Sequence, residues 1–331
     1  MCIILCRYLA ALLLLSLVAL VAVGFALCVG SVSLSPAAVW RALTTDTGGL
    51  TSEVVLQIRL PRALSAFATG GLLALAGALL QVLLRNPLAE PYLLGVSGGA
   101  AVGALVVLAT GLAGWWLQAA ACLGATVSTA LVFGLSRGKG AWDPLRLLLS
   151  GVVVAAGWGA MVSLLLAISP DTGLRGMLFW LMGDLGQAET PYVALYALAI
   201  GLLLAILLAP RLNILVHGEL VATALGIHAE RLRISLYLLS SMLTAIAVTE
   251  AGCIGFVGLI VPHLVRQLAG SDHRFLLPAA TLLGGILLLI ADTLARTIVA
   301  PRELPVGVIT ALLGVPVFLV LLQTPSASPR G

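Results

Sequence analysis

Charge is scarce in this chain. Asp, Glu, Lys and Arg make up 9% of its 331 residues, whereas a soluble globular domain carries about 25%. Hydrophobic residues supply 61% of the chain, and its mean hydropathy is +1.17. This composition excludes an ordinary soluble domain and indicates an integral membrane protein.

Several chemical signatures are missing as well. The cysteines show neither metal nor disulfide spacing, which favours small hydrophobic residues in a membrane interior. They are Cys2, Cys6, Cys28, Cys122 and Cys253. The segment GLSRGKG (134–140) has Gly140 where a phosphate-binding loop needs Ser or Thr, so the chain should not hydrolyse ATP itself. His217 and His228 lie in H-G-E and H-A-E rather than in the zinc motif H-E-x-x-H, so we expect no bound metal and no cofactor.

Ten apolar runs are long enough to span a bilayer, which takes about 20 residues. They start near residues 9, 59, 92, 115, 144, 191, 234, 254, 275 and 305. The first run, about 9–29, is too long for a signal peptide and lacks a convincing small-residue cleavage site, so we assign it as helix 1. The sequence therefore predicts an all-α membrane protein, with one transmembrane domain over 1–331 and a short disordered tail at 324–331.

The cations are divided unevenly between the predicted loops. With a cytoplasmic N-terminus, the inner loops hold eleven: Arg7, Arg85, Arg137, Lys139, Arg146, Arg211, Arg231, Arg233, Arg266, Arg274 and Arg330. The outer loops hold six: Arg41, Arg59, Arg62, Arg175, Arg296 and Arg302. Because cytoplasmic loops carry the excess of Lys and Arg, we expect both termini to face the cytoplasm.

The stretch RNPLAEPYLLGVSGGA (85–100) separates the second and third apolar runs. Pro87 and Pro91 oppose helical hydrogen bonding, so helix 2 should end near Arg85 and helix 3 should start after Pro91. Small residues follow, among them Gly95, Ser97, Gly98, Gly99, Ala100, Ala101, Gly103 and Ala104. Small side chains let membrane helices approach closely. The pattern predicts a tightly packed helix, with a pathway lining as the alternative.

Five segments carry a family resemblance. They are residues 58–104, LRGMLFWLMGDLG (174–186), GIHAERLR (226–233), GCIGFVGLIVPHLVRQLAGSDHRFLLP (252–278) and residues 291–322. Over about 55–323 the chain resembles the permease subunits of type II ATP-binding-cassette importers for iron–siderophore complexes, haem and cobalamin. This resemblance implies a ten-helix subunit of the bacterial cytoplasmic (inner) membrane that works by alternating access. Its cargo would be an iron–siderophore first, cobalamin second and haem third.

The same resemblance implies partners. They are a second copy of the chain or a similar permease, two cytoplasmic ATPase subunits that consume the ATP, and a periplasmic or extracellular substrate-binding protein. Nucleic acid is not among them, because the basic residues are scattered along loops.

The longest inner loop, about 210–233, mixes apolar and charged residues. Gly218 and Gly226 should divide it into two brief helices. An ordinary loop needs no apolar face, so docking into a groove is plausible, and the resemblance implies that the groove belongs to the ATPase. The expected core of this coupling surface is Gly218, Glu219, Ala224, Leu225 and Gly226.

Three arginines lie on the outer side of the membrane, where the excess of cations in cytoplasmic loops makes them unexpected. Arg59 and Arg62 lie at the outer start of helix 2, and Arg296 lies at the outer end of helix 9. The resemblance implies that they receive carboxylates of the binding protein, for which guanidinium groups are well suited. The alternatives are lipid headgroups or local pairing, in particular of Arg296 with Asp292 four residues earlier.

The translocation path is the least determined feature. Met177, Trp180 and Met182 follow helix 5, either as interfacial anchors or, as the resemblance implies, on a short half-helix near the path entrance. The resemblance also implies an inner gate at about Gly138 to Asp143. Farther along, the glycines of AGCIGFVG (251–258) predict a tight outer bend after helix 7.

Two other classes of protein remain as alternatives. A secondary transporter or channel would be expected to carry coupling carboxylates at mid-membrane, whereas most acids here fall in loops or near helix ends. An intramembrane enzyme would need converging catalytic groups, and Ser97 in GVSGG has no partner visible in the sequence.

Overall fold

The computed structural model describes residues 2–30, 32–45, 49–112, 114–137, 144–186 and 191–323. The predicted inner gate, with Gly138 and Asp143, and the tail 324–331 lie outside these ranges.

The described residues form an all-helical structure. In chain order the α-helices are α1 (Cys2–Cys28), α2 (Pro36–Thr44), α3 (Leu50–Glu53), α4 (Leu60–Leu83), α5 (Val96–Ala109), α6 (Trp115–Ser136), α7 (Pro144–Ile168), α8 (Asp171–Leu181), α9 (Tyr192–Leu215), α10 (Glu219–Ala224), α11 (Ala229–Ala251), α12 (Val257–Ala269), α13 (His273–Thr297) and α14 (Val306–Gln323). A π-helical segment, Val54–Arg59, joins α3 to α4. Among the described helices seven are long and apolar enough to cross a membrane, and α5, α12 and α14 are shorter apolar helices. Together they confirm the ten predicted helices.

Helix α4 is the centre of the subunit. It packs against α13, α11, α12 and α9, and most of its residues are buried. Glycines make these contacts close: a Cβ added to Gly70 would collide with the backbone of Gly284, and one added to Gly77 would collide with the backbone of Gly258. Lipid gives no hydrophobic drive for helix association, so this close packing holds the helices around α4 together.

The turn between α4 and α5 lies where the two prolines predict it. After α4 the backbone passes through Arg85 with φ 48° and a 3₁₀ turn, Pro91–Leu94, to Gly95 with φ 71°. Gly95 can adopt this left-handed conformation at little cost. Helix α5 then packs on α6, with Gly99 directly against the backbone of Gly124. The prediction of a tightly packed helix is confirmed.

The bend predicted after helix 7 is not at the outer surface. Near the end of α11 the Glu250 carboxylate accepts a 2.6 Å hydrogen bond from Ser65 of α4. Gly258 at the start of α12 lies instead against Gly77, twelve residues further along α4, which corresponds to about 18 Å. Residues 252–256, which we call the break segment, therefore run through the interior of the protein.

The inner loop is also shorter than predicted. Helix α9 continues through Pro210 to Leu215, α11 begins at Ala229, and α10 is the one short helix between them. The prediction of two brief helices is wrong. Proline removes one hydrogen bond from a helix, but Leu212 and Leu215 beyond it are fully buried, and their packing stabilises the last turn of α9.

Candidate functional site

An ion-pair cluster lies at the outer ends of α4 and α13. The Asp292 carboxylate is 3.0 Å from Nη2 and 3.1 Å from Nε of Arg62, and 3.1 Å from Nε of Arg296. The Asp292 side chain is only 1% exposed. A buried carboxylate needs such partners, because leaving water costs it several kcal/mol. The local pairing of Asp292 with Arg296 is confirmed, and Arg62 is a second partner.

Arg62 has another carboxylate on its exposed side. Its Nη1 lies 2.8 Å from Oε2 of Glu303, whose side chain is 47% exposed. Arg62, Arg296 and Glu303 line an outer cleft of about 410 Å³. Sequence reasoning missed Glu303, because nothing local relates the loop before α14 to the start of α4.

Arg59 has a different environment from Arg62. Its guanidinium is buried and donates to the carbonyl oxygens of Leu27, at 2.7 Å, and Val32. These carbonyls lie at and just after the C-terminus of α1, where backbone acceptors lack helical partners. The structure uses the Arg59 guanidinium to hold the end of α1, and Arg59 also lines the outer cleft. Its part in docking stays a prediction.

The break segment is held by two side chains from the turn before α5. The backbone N–H of Phe256 donates to the Glu90 carboxylate at 2.9 Å, and the N–H of Ile254 donates to the Tyr92 hydroxyl at 2.7 Å. Non-helical backbone at membrane depth is tolerated only where protein or water satisfies its polar groups. Sequence reasoning missed both residues, although an acid and a tyrosine beside Pro91 were a visible signal.

The predicted path residues of α5 lie next to this break. The Gly95 carbonyl accepts a 2.7 Å hydrogen bond from Ser128, whose oxygen accepts another from Nε1 of Trp158 at 2.9 Å. Gly98 packs against the Trp158 side chain. The carbonyl oxygen of Ser97 lies 4.0 Å from the thiol sulfur of Cys253 in the break segment. Gly95 and Gly98 thus pack α5 on α6 and α7, while Ser97 borders the break.

Helix α8, with 11 residues, is a short helix at the place where the family resemblance implied a half-helix. Met177 and Trp180 are buried, whereas Met182 is exposed. The Trp180 carbonyl lies directly against Gly252 of the break segment, and the Met182 carbonyl accepts a 3.0 Å hydrogen bond from the N–H of Gly307. The structure therefore brings α8, Ser97 and the break segment together. Within the described residues, no group of three His, Cys, Asp or Glu side chains could hold a metal ion.

The predicted coupling residues form a separate inner surface around α10. Gly218 has φ 122° and Gly226 has φ 78°, conformations that other residues adopt only with strain. The two glycines turn the chain into and out of α10, and Ala224 at its last position is exposed.

The exposed face of α10 is apolar. Leu220 is 88% exposed and Leu225, just after the helix, is 63% exposed. Glu219 forms a 2.8 Å ion pair with Arg233 of α11, which anchors α10 to the membrane helix. An apolar surface held in this way is typical of a protein contact.

Residues 15–324 of the chain match the FecCD transport family. The chain belongs to this family. It is the membrane-spanning, non-catalytic permease subunit of an ATP-binding-cassette importer, and the ATPase is a separate subunit. Such an importer also has a binding protein as a partner.

Two permeases of known transport systems are similar to this chain over most of its length. It is 44% identical over 301 residues to the hemin transport system permease protein HmuU of Yersinia pestis, covering 88% of this chain and 89% of that one. It is 40% identical over 312 residues to the vitamin B12 import system permease protein BtuC of Salmonella paratyphi A, covering 93% of each.

A solved structure agrees with the fold. It is described as an inward-facing conformation of a metal-chelate type ABC transporter, and it has a TM-score of 0.85 and 34% sequence identity. The match covers 94% of this chain and 98% of the solved one. The ten-helix type II importer fold and the multi-pass membrane location are thereby confirmed.

Proposed function

We propose that the permease imports a metal chelate, with haem as the first candidate and cobalamin as the second. The observation that carries this proposal is the 44% identity with a hemin permease over 88% of the chain. Cobalamin is the second candidate because vitamin B12 permeases reach 40% identity over 93% of it. Both are placed ahead of the iron–siderophore complex that the sequence resemblance favoured.

The interior chemistry supports a bulky, weakly held cargo. The Glu90 carboxylate and the Tyr92 hydroxyl beside the break segment already bind backbone N–H groups of the chain itself. A metal chelate would therefore meet few strong ligands there and could pass without being trapped. Specificity would then reside in the binding protein.

Growth assays test the cargo. The permease, its ATPase and its binding protein would be expressed in a bacterium that lacks its own haem, cobalamin and siderophore permeases. We expect growth with hemin as the sole iron source. Growth only on cyanocobalamin would assign cobalamin as the cargo, and growth only on a ferric siderophore would assign the iron–siderophore complex. Failure to grow on all three would refute chelate import.

We also propose that two copies of the chain form the transport unit. In the single subunit few residues of α7 are buried, and a Cβ added to Gly157 or Gly159 would have nothing within 4 Å. Membrane helices associate through such small residues, so this face suits a second copy. Native mass spectrometry of the purified permease should give the mass of a dimer, and Gly157→Leu should shift it towards the monomer.

For docking of the binding protein we propose the Arg62–Arg296 side of the outer cleft, with Glu303 as an internal competitor. The Nη1 group that an incoming carboxylate would bind is occupied by Glu303. Because Glu303 is half-exposed, it can leave Arg62 at low cost. The buried Asp292 would keep both arginines in place while the partner carboxylate replaces Glu303.

The variant Glu303→Gln tests this arrangement without disturbing Asp292. We expect it to strengthen binding of the loaded binding protein about 3-fold at low salt, with a smaller gain at high salt. Glu53→Gln is the matched control, because Glu53 is an exposed acid on the same outer side without a described ion pair. An equal gain in both variants would indicate a general charge effect, and weaker binding in Glu303→Gln would contradict competition.

For the inner face we propose that α10 and its flanking glycines transmit ATPase movement to the permease. The support is the exposed pair Leu220 and Leu225 together with the Glu219–Arg233 anchor. A short apolar helix in a partner's groove is a common recognition mode. Alternating access would follow from movement of α10 relative to α9 and α11, on which it packs.

The variant Leu225→Asp tests the coupling surface. Its side chain is exposed, so we expect normal membrane insertion but loss of transport and of ATPase co-purification. Leu268→Asp is the control, since Leu268, at the inner end of α12, is 83% exposed against 63% for Leu225. If the ATPase co-purifies with Leu225→Asp as it does with wild type, α10 is not the coupling surface.

A further inference from the structure

A basic cleft lies between the inner ends of α9 and α11, next to the coupling surface, with which it shares Gly226. It has a volume of about 290 Å³, and its lining includes Arg211 from α9, Arg231 from α11 and His228 between α10 and α11. No acidic residue is among the described residues that line it. The cleft therefore presents two guanidinium groups at the cytoplasmic end of two membrane helices.

These two arginines differ from their neighbour Arg233. Arg233 forms the 2.8 Å ion pair with Glu219. Arg211 and Arg231 are exposed, and within the described part of the chain neither makes an ion pair. Their charges are thus available to an anion from outside the subunit.

Each arginine ends an apolar stripe that faces outward from the subunit. On α9, Leu203 and Leu207 are exposed, and they precede Arg211 at intervals of four residues, which places all three on one helix face. On α11, Leu238 and Met242 are exposed on the face of Arg231, seven and eleven residues away.

The two stripes belong to adjacent helices, because α9 packs against α11. Both run from the cleft towards the bilayer interior. An anionic group in the cleft would therefore lie at the cytoplasmic end of both apolar stripes, an arrangement that matches a phospholipid with its headgroup at the membrane boundary.

We infer that this cleft binds an anionic phospholipid of the inner leaflet. Its phosphate would be held by Arg211 and Arg231, and its acyl chains would lie along the two stripes. Basic pockets between membrane helices on the cytoplasmic side suit such headgroups. A carboxylate of the ATPase is the competing occupant, but it would make no use of the apolar stripes. The inference does not depend on which chelate is carried.

Lipid retention tests the inference. The full-length permease with its ATPase would be reconstituted in nanodiscs of phosphatidylcholine with 20% phosphatidylglycerol, released into detergent and examined by native mass spectrometry. We expect wild type to retain phosphatidylglycerol, and the double variant Arg211→Gln, Arg231→Gln to bind it about 30-fold more weakly, which corresponds to about 1 kcal/mol for each arginine. Arg146→Gln removes an exposed inner arginine outside the cleft and should bind it as wild type does.

Two further measurements separate the alternatives. Inorganic phosphate at 20 mM should not displace the retained lipid, because phosphate lacks the acyl contacts; displacement would indicate a phosphate site and overturn the lipid assignment. In pure phosphatidylcholine the double variant should still co-purify with the ATPase. Loss of the ATPase there, or unchanged lipid retention in the double variant, would overturn the inference.

Discussion

Asp292→Asn should destabilise the permease by about 3 kcal/mol. The Asp292 side chain is 1% exposed and accepts hydrogen bonds from both Arg62 and Arg296. Asparagine keeps the shape and one acceptor oxygen but removes the negative charge between two guanidinium groups. The cost arises because those groups would then be left close together with their main buried counter-ion removed.

Exposure of the carboxylate sets the magnitude, and Glu303 provides the comparison. Both acids bind Arg62, at 3.0 Å for Asp292 and 2.8 Å for Glu303, but Glu303 is 47% exposed. An exposed ion pair contributes about 0.5 kcal/mol. Glu303→Gln should therefore change the free energy of unfolding far less than Asp292→Asn, although its ion-pair distance is the shorter one.

The assay is unfolding of the purified permease by SDS titration in mixed micelles, followed by circular dichroism. A double-mutant cycle with Arg296→Met completes it. Arg62 donates to Asp292 from two nitrogens and Arg296 from one, so Arg296→Met alone should cost less than Asp292→Asn. The double variant should cost less than the sum of the two, because Asp292→Asn leaves Arg296 without its counter-ion and Arg296→Met removes that unpaired charge. Equal effects of Asp292→Asn and Glu303→Gln would refute the reasoning from burial.

Two further predictions concern packing and buried hydrogen bonds. Gly77→Ala should destabilise the permease by about 2 kcal/mol or more, because the added Cβ would collide with the backbone of Gly258. The control Gly134→Ala, whose Cβ has nothing close to it, should be neutral or slightly stabilising. Similar melting temperatures for the two variants would contradict this prediction. Ser128→Ala should cost about 2 kcal/mol in the same SDS assay, since it leaves the Trp158 N–H without its partner and removes one of the two hydrogen bonds to the Gly95 carbonyl. A loss under 0.5 kcal/mol would show that other groups replace the hydroxyl.

Much of the architecture follows from local sequence. Bilayer thickness requires long apolar runs, so composition and run length predict the membrane class and ten helices. Pro87 and Pro91 locate the turn before α5, because proline acts on its own backbone and that of its neighbours. Gly218 and Gly226 mark the ends of α10 for a similarly local reason, their positive φ angles. Family membership follows from five such segments in register.

Tertiary structure alone decided the details of the sites. The Arg62–Asp292 hydrogen bonds join residues 230 positions apart, and the contact of Phe256 with Glu90 spans 166. Hydropathy and turn patterns describe each segment by itself, so they could not show that Arg59 holds the end of α1 or that Glu303 forms an ion pair with Arg62. They also placed the break after α11 at the surface, because glycines permit a bend without stating its depth. That depth is set by the side chains of the α4–α5 turn, which satisfy the backbone of the break segment inside the protein.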